Sequence, residues 1–585
     1  MAATQAPSQL GFAEQLAARA QASPDATAFI YLLDGEGKEE TITYARLHAR
    51  ASAIASQLAE HLSPGARTMI LCPPGLDYVA ALFGCFYAAV IGVSASPPHP
   101  KRLHRTLPRL LAIAADADVE AVLTTAAIRD GAQGLLGGDH ALSRSHWLTC
   151  EEEDGGEAPA DWMPQPADPS DVAFLQYTSG STGNPRGVML THGNLLSNSN
   201  FIARTFGHSP ASRGFIWLPP YHDMGLIGGI LQPVHVGFPC VLTSPITIIK
   251  QPARWLEGIS RYGATTSGGP NFAYELCVQR ISSAQREKLD LSRWEVAFNG
   301  AEPIRPSTIE RFSRVFEPAG FRASAFFPCY GLAEATLMVT APAKSEPPVL
   351  HPLDAASLLH HRAETAGEGG VTTLVGCGRA DSDHRVEIVY PSTSRRCKPG
   401  QVGEIWVSGP SVAAGYWRCE AETAETFAAR IDGDPGQHEF LRTGDLGVLD
   451  DGELLVVGRL KDVLIIRGQN HHPPDIEDLA ESAHVLLRAH CSAAFALDET
   501  SDERLAIVLE VEPGCECEHA EAMNAVRRRV TGELDLQVHL VALCAPGSVP
   551  KTTSGKIQRQ LCRSLLAAGE LEVLAEWHPH DQAAR

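Results

Sequence analysis

Along residues 43–60, TYARLHARASAIASQLAE, the apolar positions Leu47, Ala51, Ile54 and Leu58 recur at helical spacing, with Arg46 and Arg50 elsewhere on the wheel. The pattern predicts an amphipathic surface helix. Short apolar, β-rich runs at 68–71, 121–123 and 172–175 alternate with helical patterns such as 107–115. That alternation predicts a parallel or mixed α/β sheet. After about residue 380 the pattern changes to short strands, at 386–389, 404–407 and 453–457, punctuated by Pro399-Gly400 and Asp451-Gly452. Such punctuation predicts a small, turn-rich, barrel-like β subdomain over about 380–457. Beyond residue 458 helices and strands mix again, with a helix expected at 519–534 and strands at 505–511 and 538–543. No fixed-period repeat is present, and the acidic, Gly-rich stretch 151–157 reads as a surface loop.

An uncharged stretch at 78–98 is long enough to span a bilayer. Its Ala and Gly content, its change to β-branched residues at Val90-Ile91-Gly92-Val93 and its stop at Pro97-Pro98 favour a buried helix running into a buried strand. The N-terminus lacks a basic region followed by an apolar core, so no secretory signal is read and a cytoplasmic location is expected. With 585 residues the chain exceeds one hydrophobic core, so a large catalytic body at 1–458 and a smaller unit at 459–585 are expected. Hydrophobic residues at 44% and charged residues at 20% fit a folded protein throughout. A net charge of −21 repels phosphates, which argues against nucleic acid or an anionic membrane as partner and requires a local positive patch for any anionic substrate. The 14 cysteines lack zinc or C-x-x-C spacing and read as buried free thiols.

The segment Tyr177-Thr178-Ser179-Gly180-Ser181-Thr182-Gly183-Asn184-Pro185-Arg186-Gly187-Val188 carries the clearest chemistry. Its glycines let the backbone approach a bulky anion, and its hydroxyls add donors where phosphate oxygens would lie. Composition alone also allows a surface turn. Strand-like runs on both sides give a strand-loop-strand unit, unlike a Walker loop. A second lure, Thr553-Ser554-Gly555-Lys556, fails as a Walker motif because Pro550 and Ile557 stand at required Gly and Ser/Thr positions. Tyr221-His222-Asp223 invites a metal or triad reading, yet neighbours in an extended segment point to opposite sides, so the two are expected not to bind each other.

Seven short motifs follow in order between residues 177 and 559: YTSGSTGNPRGV, LPPYHDMG, FNGAEPI, CYGLAEAT, RTGDLG, GRLKD and PKTTSGKIQR. This series resembles the adenylate-forming superfamily of acyl-CoA synthetases, peptide-synthetase adenylation domains and luciferases. The resemblance implies an α/β, multidomain α+β fold with a mobile C-terminal domain, and ATP with Mg2+ as cofactors. It makes Lys556 the catalytic cation and Thr178 to Gly183 the phosphate cradle. Gly300, Ala301 and Glu302 would line one side of the adenine, and Tyr330 with Gly331 the other. By the same likeness Glu334 would hold magnesium, Asp445 the ribose, Arg459 the ribose or phosphate, and Lys461 the hinge, while His222 would stand at the mouth of the acyl pocket. Arg186 departs from the more frequent lysine of the phosphate loop.

Within the superfamily the likeness is to the fatty acyl-AMP ligases. It rests on Pro97-Pro98-His99-Pro100, on YHDMGLIGGILQP, on GQNHHPPDIE and on an apparent insertion at about 343–374. Ile465 replaces the usual lysine of the CoA-ligase pattern. The implied reaction joins a medium- or long-chain fatty acid to AMP and hands it to the phosphopantetheine of an acyl carrier protein. Fewer than thirty residues follow Arg559, so the carrier is expected on a separate chain. An acyl-CoA ligase, a free-standing amino-acid adenylation enzyme and a degenerate lipid-binding scaffold are the alternatives.

Overall fold

The computed structural model describes residues 11–35, 37–98, 103–133, 140–151, 164–179, 185–367, 370–466, 469–497, 504–514, 516–534, 536–552 and 555–579. The expectations for Gly180 to Gly183, for most of 151–157, and for His99-Pro100 lie outside these residues.

Two largely parallel sheets organise the large N-terminal part. One has seven strands in the order Phe326–Pro328, Val296–Asn299, Thr266–Gly269, Gly214–Ile216, Cys240–Thr243, Thr27–Leu32 and Glu39–Thr43, with only the last pair antiparallel. The other has six, His146–Thr149, Ala121–Thr124, Arg67–Ile70, Ile91–Ser94, Val172–Ser179 and Pro185–Thr191, again closing on one antiparallel pair. Strands buried on both faces read as continuous apolar runs, which is why the short runs at 68–71 and 121–123 were legible.

The uncharged stretch is the helix Leu76–Tyr87, buried along most of its length, followed by the buried strand Ile91–Ser94. It packs against the amphipathic helix Tyr44–His61, where a Cβ at Gly84 would come within 2.4 Å of Ile54 Cγ2. That close approach buries Leu47, Ala51, Ile54 and Leu58 as expected. Among the described residues no helix is long and apolar enough to cross a membrane. Nine of the thirteen described cysteines are buried, whereas Cys517 is exposed.

The β subdomain is a five-stranded antiparallel sheet, Arg395–Arg396, Arg385–Tyr390, Gly403–Ser408, Leu441–Asp450 and Glu453–Arg459. The insertion is more than a loop. It pairs Leu350–Asp354 with Val371–Val375 and carries the short helix Ala355–Leu359. Leu353 and Leu358 share a core with Leu446, Val448 and Leu455, against which Leu460 and Val463 pack. The C-terminal part has its own four-stranded sheet, Leu487–Ala496, Leu505–Val511, Val538–Cys544 and Val573–Trp577, and its own core built on Ile476, Ile507, Val526 and Val541. The helix His519–Leu534 has the bounds its pattern predicts.

Candidate active site

Parallel strands align their carboxyl ends along one edge, and in open α/β sheets that edge is where ligands bind. The seven-stranded sheet obeys this rule. The strand Gly214–Ile216 leads to Trp217 and His222, Thr266–Gly269 to Phe272, Val296–Asn299 to Gly300-Ala301-Glu302, and Phe326–Pro328 to Tyr330 and Glu334. Residues far apart in sequence thus share one edge.

On one side stands a polar group built around Asp445, which is buried. Its Oδ2 accepts from Tyr330 Oη at 2.8 Å and its Oδ1 from Arg459 Nε at 2.9 Å. The pair follows from register, since Asp445 lies opposite Arg459 in the antiparallel ladder. Gly331 cannot be replaced without moving the chain, because a Cβ would fall 1.7 Å from Leu337 O. Ala301 and Thr336 both adopt positive φ, 70° and 71°, and Thr336 Oγ1 donates to Ser411 O at 2.6 Å. Left-handed non-glycine residues cost energy and cluster at functional sites. Glu302 accepts from Phe272 N at 2.5 Å, and burial pushes its carboxyl up to about 7.

Glu334 Oε1 accepts from Tyr416 Oη at 3.1 Å, and burial raises its pKa. Arg186 lies over the Tyr416 ring at 5.4 Å and pairs with Glu422 at 3.1 Å. Thr178 is half-buried in the strand Val172–Ser179 that precedes the phosphate loop, and Lys461 is exposed.

Lys556 arrives from the C-terminal part. A tight turn presents it: Lys551 bridges to Ile557, Lys556 N donates to Thr552 Oγ1 at 3.0 Å, and Thr552 N donates to Lys556 O at 2.8 Å. The preceding Gly555 has φ +89°, and a Cβ there would meet Phe272 Cε1 at 2.8 Å. The turn therefore lies directly on the large domain. Arg559 anchors its far end to Glu477 at 2.7 Å and to Asp462 at 2.8 Å, and Arg305 pairs with Asp478 across the two parts. Desolvation, then the charge of Arg459, bring the Lys556 ammonium down to about 8 against the pull of Asp445 and Asp462.

The expectation that His222 and Asp223 point apart is wrong. His222 Nδ1 lies 2.6 Å from Asp223 Oδ1. The segment is a turn, not extended: His222 N donates to Pro219 O, and Asp223 has helical φ and ψ at the start of the π-helix Met224–Leu231. Gly225 permits the turn, since a Cβ there would lie 2.0 Å from Pro219 O. His222 lines a narrow apolar cavity with Trp217, Met224, Ile249, Phe272 and Gly555. At about 30 Å³ it has room for little more than a water and none for an acyl chain, so ligand entry requires these walls to part.

Phe272, Tyr416, Thr336 and Arg559 were not assigned from sequence. Arg559 and Thr336 lie inside the motifs PKTTSGKIQR and CYGLAEAT, whereas Phe272 and Tyr416 give no signal apart from ordinary core composition.

The chain belongs to the family of AMP-binding enzymes, which matches residues 16–417. It is 43% identical over 555 residues to a medium-chain-fatty-acid–[acyl-carrier-protein] ligase of Moorena producens, covering 93% of each chain. A long-chain-fatty-acid–AMP ligase of Mycobacterium marinum is 37% identical, with 93% of this chain and 95% of the relative aligned. Among solved structures it resembles the fatty acyl-adenylate ligase of Legionella pneumophila in complex with acyl adenylate and pyrophosphate, at 38% identity and TM-score 0.76, covering 98% of this chain and 99% of that one.

Proposed function

We propose that this chain activates a medium- or long-chain fatty acid with ATP, giving acyl-AMP and pyrophosphate, and passes the acyl group to the phosphopantetheine thiol of an acyl carrier protein. One observation carries the reading: the turn bearing Lys556 packs on Phe272, between the Asp445 group and an apolar cavity. A carboxylate oxygen attacks the α-phosphorus and pyrophosphate leaves with the bonding pair. Both reactants are anions, so the step needs fixed positive charge more than a base. Lys556 and Arg459 supply it in this reading. Asp445 takes the ribose hydroxyls, Tyr330 and Ala301 flank the base, and the loop at 178–183 cradles the phosphates.

The residues also suit magnesium. Glu334 offers a hard carboxylate oxygen, its burial disfavours a bare charge, and this metal is usually held by one or two carboxylates together with substrate phosphates. When bound it would neutralise phosphate charge. Tyr416 holds the carboxylate in place for that role.

In the second half-reaction the thiol sulfur attacks the acyl carbonyl and AMP leaves. Pyrophosphate must depart first, so the small domain, taken as 459–585, turns about Lys461. The insertion reaches both sides of that hinge: Leu353 and Leu358 belong to the cluster on which Leu460 and Val463 pack, and Asn470 Nδ2 donates to Leu359 O at 3.1 Å. Such contacts restrain rotation and support a carrier protein over CoA as acceptor. The test is a competition in which ATP, Mg2+ and a fatty acid series meet equal CoA and holo-carrier protein. Acyl-carrier should dominate; preferential formation of acyl-CoA would favour the acyl-CoA ligase reading instead.

A further inference from the structure

His222 and Asp223 form a tight polar pair in the wall of an otherwise apolar cavity. Asp223 Oδ1 is shared, accepting from Met224 N at 2.7 Å as well as facing His222 Nδ1, so the turn itself fixes the carboxylate. A further brace comes from the six-stranded sheet, where Gln176 Nε2 donates to Tyr221 O at 3.0 Å. With Nδ1 committed to Asp223, Nε2 is the ring nitrogen left for a ligand of the cavity that His222 lines. The neighbouring walls are Trp217, Met224 and Phe272, together with Ala301, which precedes Glu302, and Gly555, which precedes Lys556.

We propose that Asp223 is a positioning residue for adenylation: it locks His222 Nδ1 so that Nε2–H faces the fatty carboxylate as a second donor beside Lys556. This inference rests on the fatty-acid reading given above. A buried imidazole ordinarily loses its proton, yet the Asp223 charge and hydrogen bond outweigh burial and the opposing Lys556 charge, raising the His222 pKa. With Nδ1–H given to Asp223, Nε2 donates in the imidazolium form, which the Asp223 charge favours.

The test is Asp223→Asn, alone and combined with His222→Phe, assayed by ATP–pyrophosphate exchange with a saturated fatty acid. Asparagine still accepts from Met224 N, and Asp223→Ser offers the same cap if the first variant is unstable. Loss of one charge-assisted hydrogen bond should raise the fatty-acid KM about tenfold and leave the ATP KM within about twofold. By carbon-13 NMR the His222 pKa should fall by about one unit or more. In the His222→Phe background, Asp223→Asn should add nothing. An equal rise in that background, or an unchanged His222 titration, overturns the inference while the parent enzyme remains active. Absence of exchange from the parent with every fatty acid overturns the functional reading and this proposal together.

Discussion

Replacing Lys556 with arginine separates the charge of this side chain from its other properties. The ammonium sits near Arg459 in a desolvated pocket and titrates at about 8, so it is a cation below that pH and neutral above it. Its charged fraction drops from about 0.9 at pH 7 to about 0.1 at pH 9, and a step that needs the charge slows about tenfold over that interval. Guanidinium stays charged throughout. The parent should therefore lose kcat/KM for ATP, which reports the free enzyme, as pH rises through 8, and Lys556→Arg should lose that component. The arginine enzyme should be slower at its optimum, because the Gly555 turn packed on Phe272 leaves little room for a bulkier head. The assay is pyrophosphate exchange from pH 6 to 10 at constant ionic strength. A parent profile flat to pH 9.5, or an arginine variant that keeps the full limb, refutes the assignment of charge to Lys556.

Lys556→Ala should cut the adenylation rate by roughly 10²–10³ while leaving thermal unfolding unchanged, since one preorganised electrostatic group is lost from a half-buried turn outside the hydrophobic cores. Shortening residues 344–373 should preserve acyl-AMP formation and raise thioester formation with CoA, measured by liquid chromatography of the products; no gain would make the insertion a bystander. Phe312, fully buried against Tyr274, Trp294, Phe321 and Phe326, should cost about 3–5 kcal/mol when changed to alanine, read by urea denaturation. A loss below about 1 kcal/mol would mean that the aromatic cluster collapses around the gap.

Sequence carried the repeating elements well because period and burial coincide in them. The apolar stripe of Tyr44–His61 and the strands at 505–511 and 538–543 needed no tertiary information. The motif residues Tyr330, Asp445 and Arg459 are joined by hydrogen bonds, and the charges of Asp445 and Arg459 act on Lys556. Sequence failed where local backbone departs from regular geometry. The pattern predicts His222 and Asp223 as extended neighbours, whereas a turn that only a residue without Cβ permits at Gly225 brings them together. The left-handed Ala301 is equally invisible, because alanine gives no hint of positive φ. Phe272 looks like any core aromatic until the Gly555 turn is folded onto it.

The central claim is that a fatty carboxylate oxygen attacks the α-phosphorus of ATP at this site. It is tested most directly with a fatty acid carrying oxygen-18 in both carboxyl positions, incubated with ATP, Mg2+ and holo-carrier protein, followed by mass spectrometry of the nucleotide and pyrophosphate. The account predicts one heavy oxygen in AMP and none in pyrophosphate. Unlabelled AMP, or label in the pyrophosphate, would contradict it.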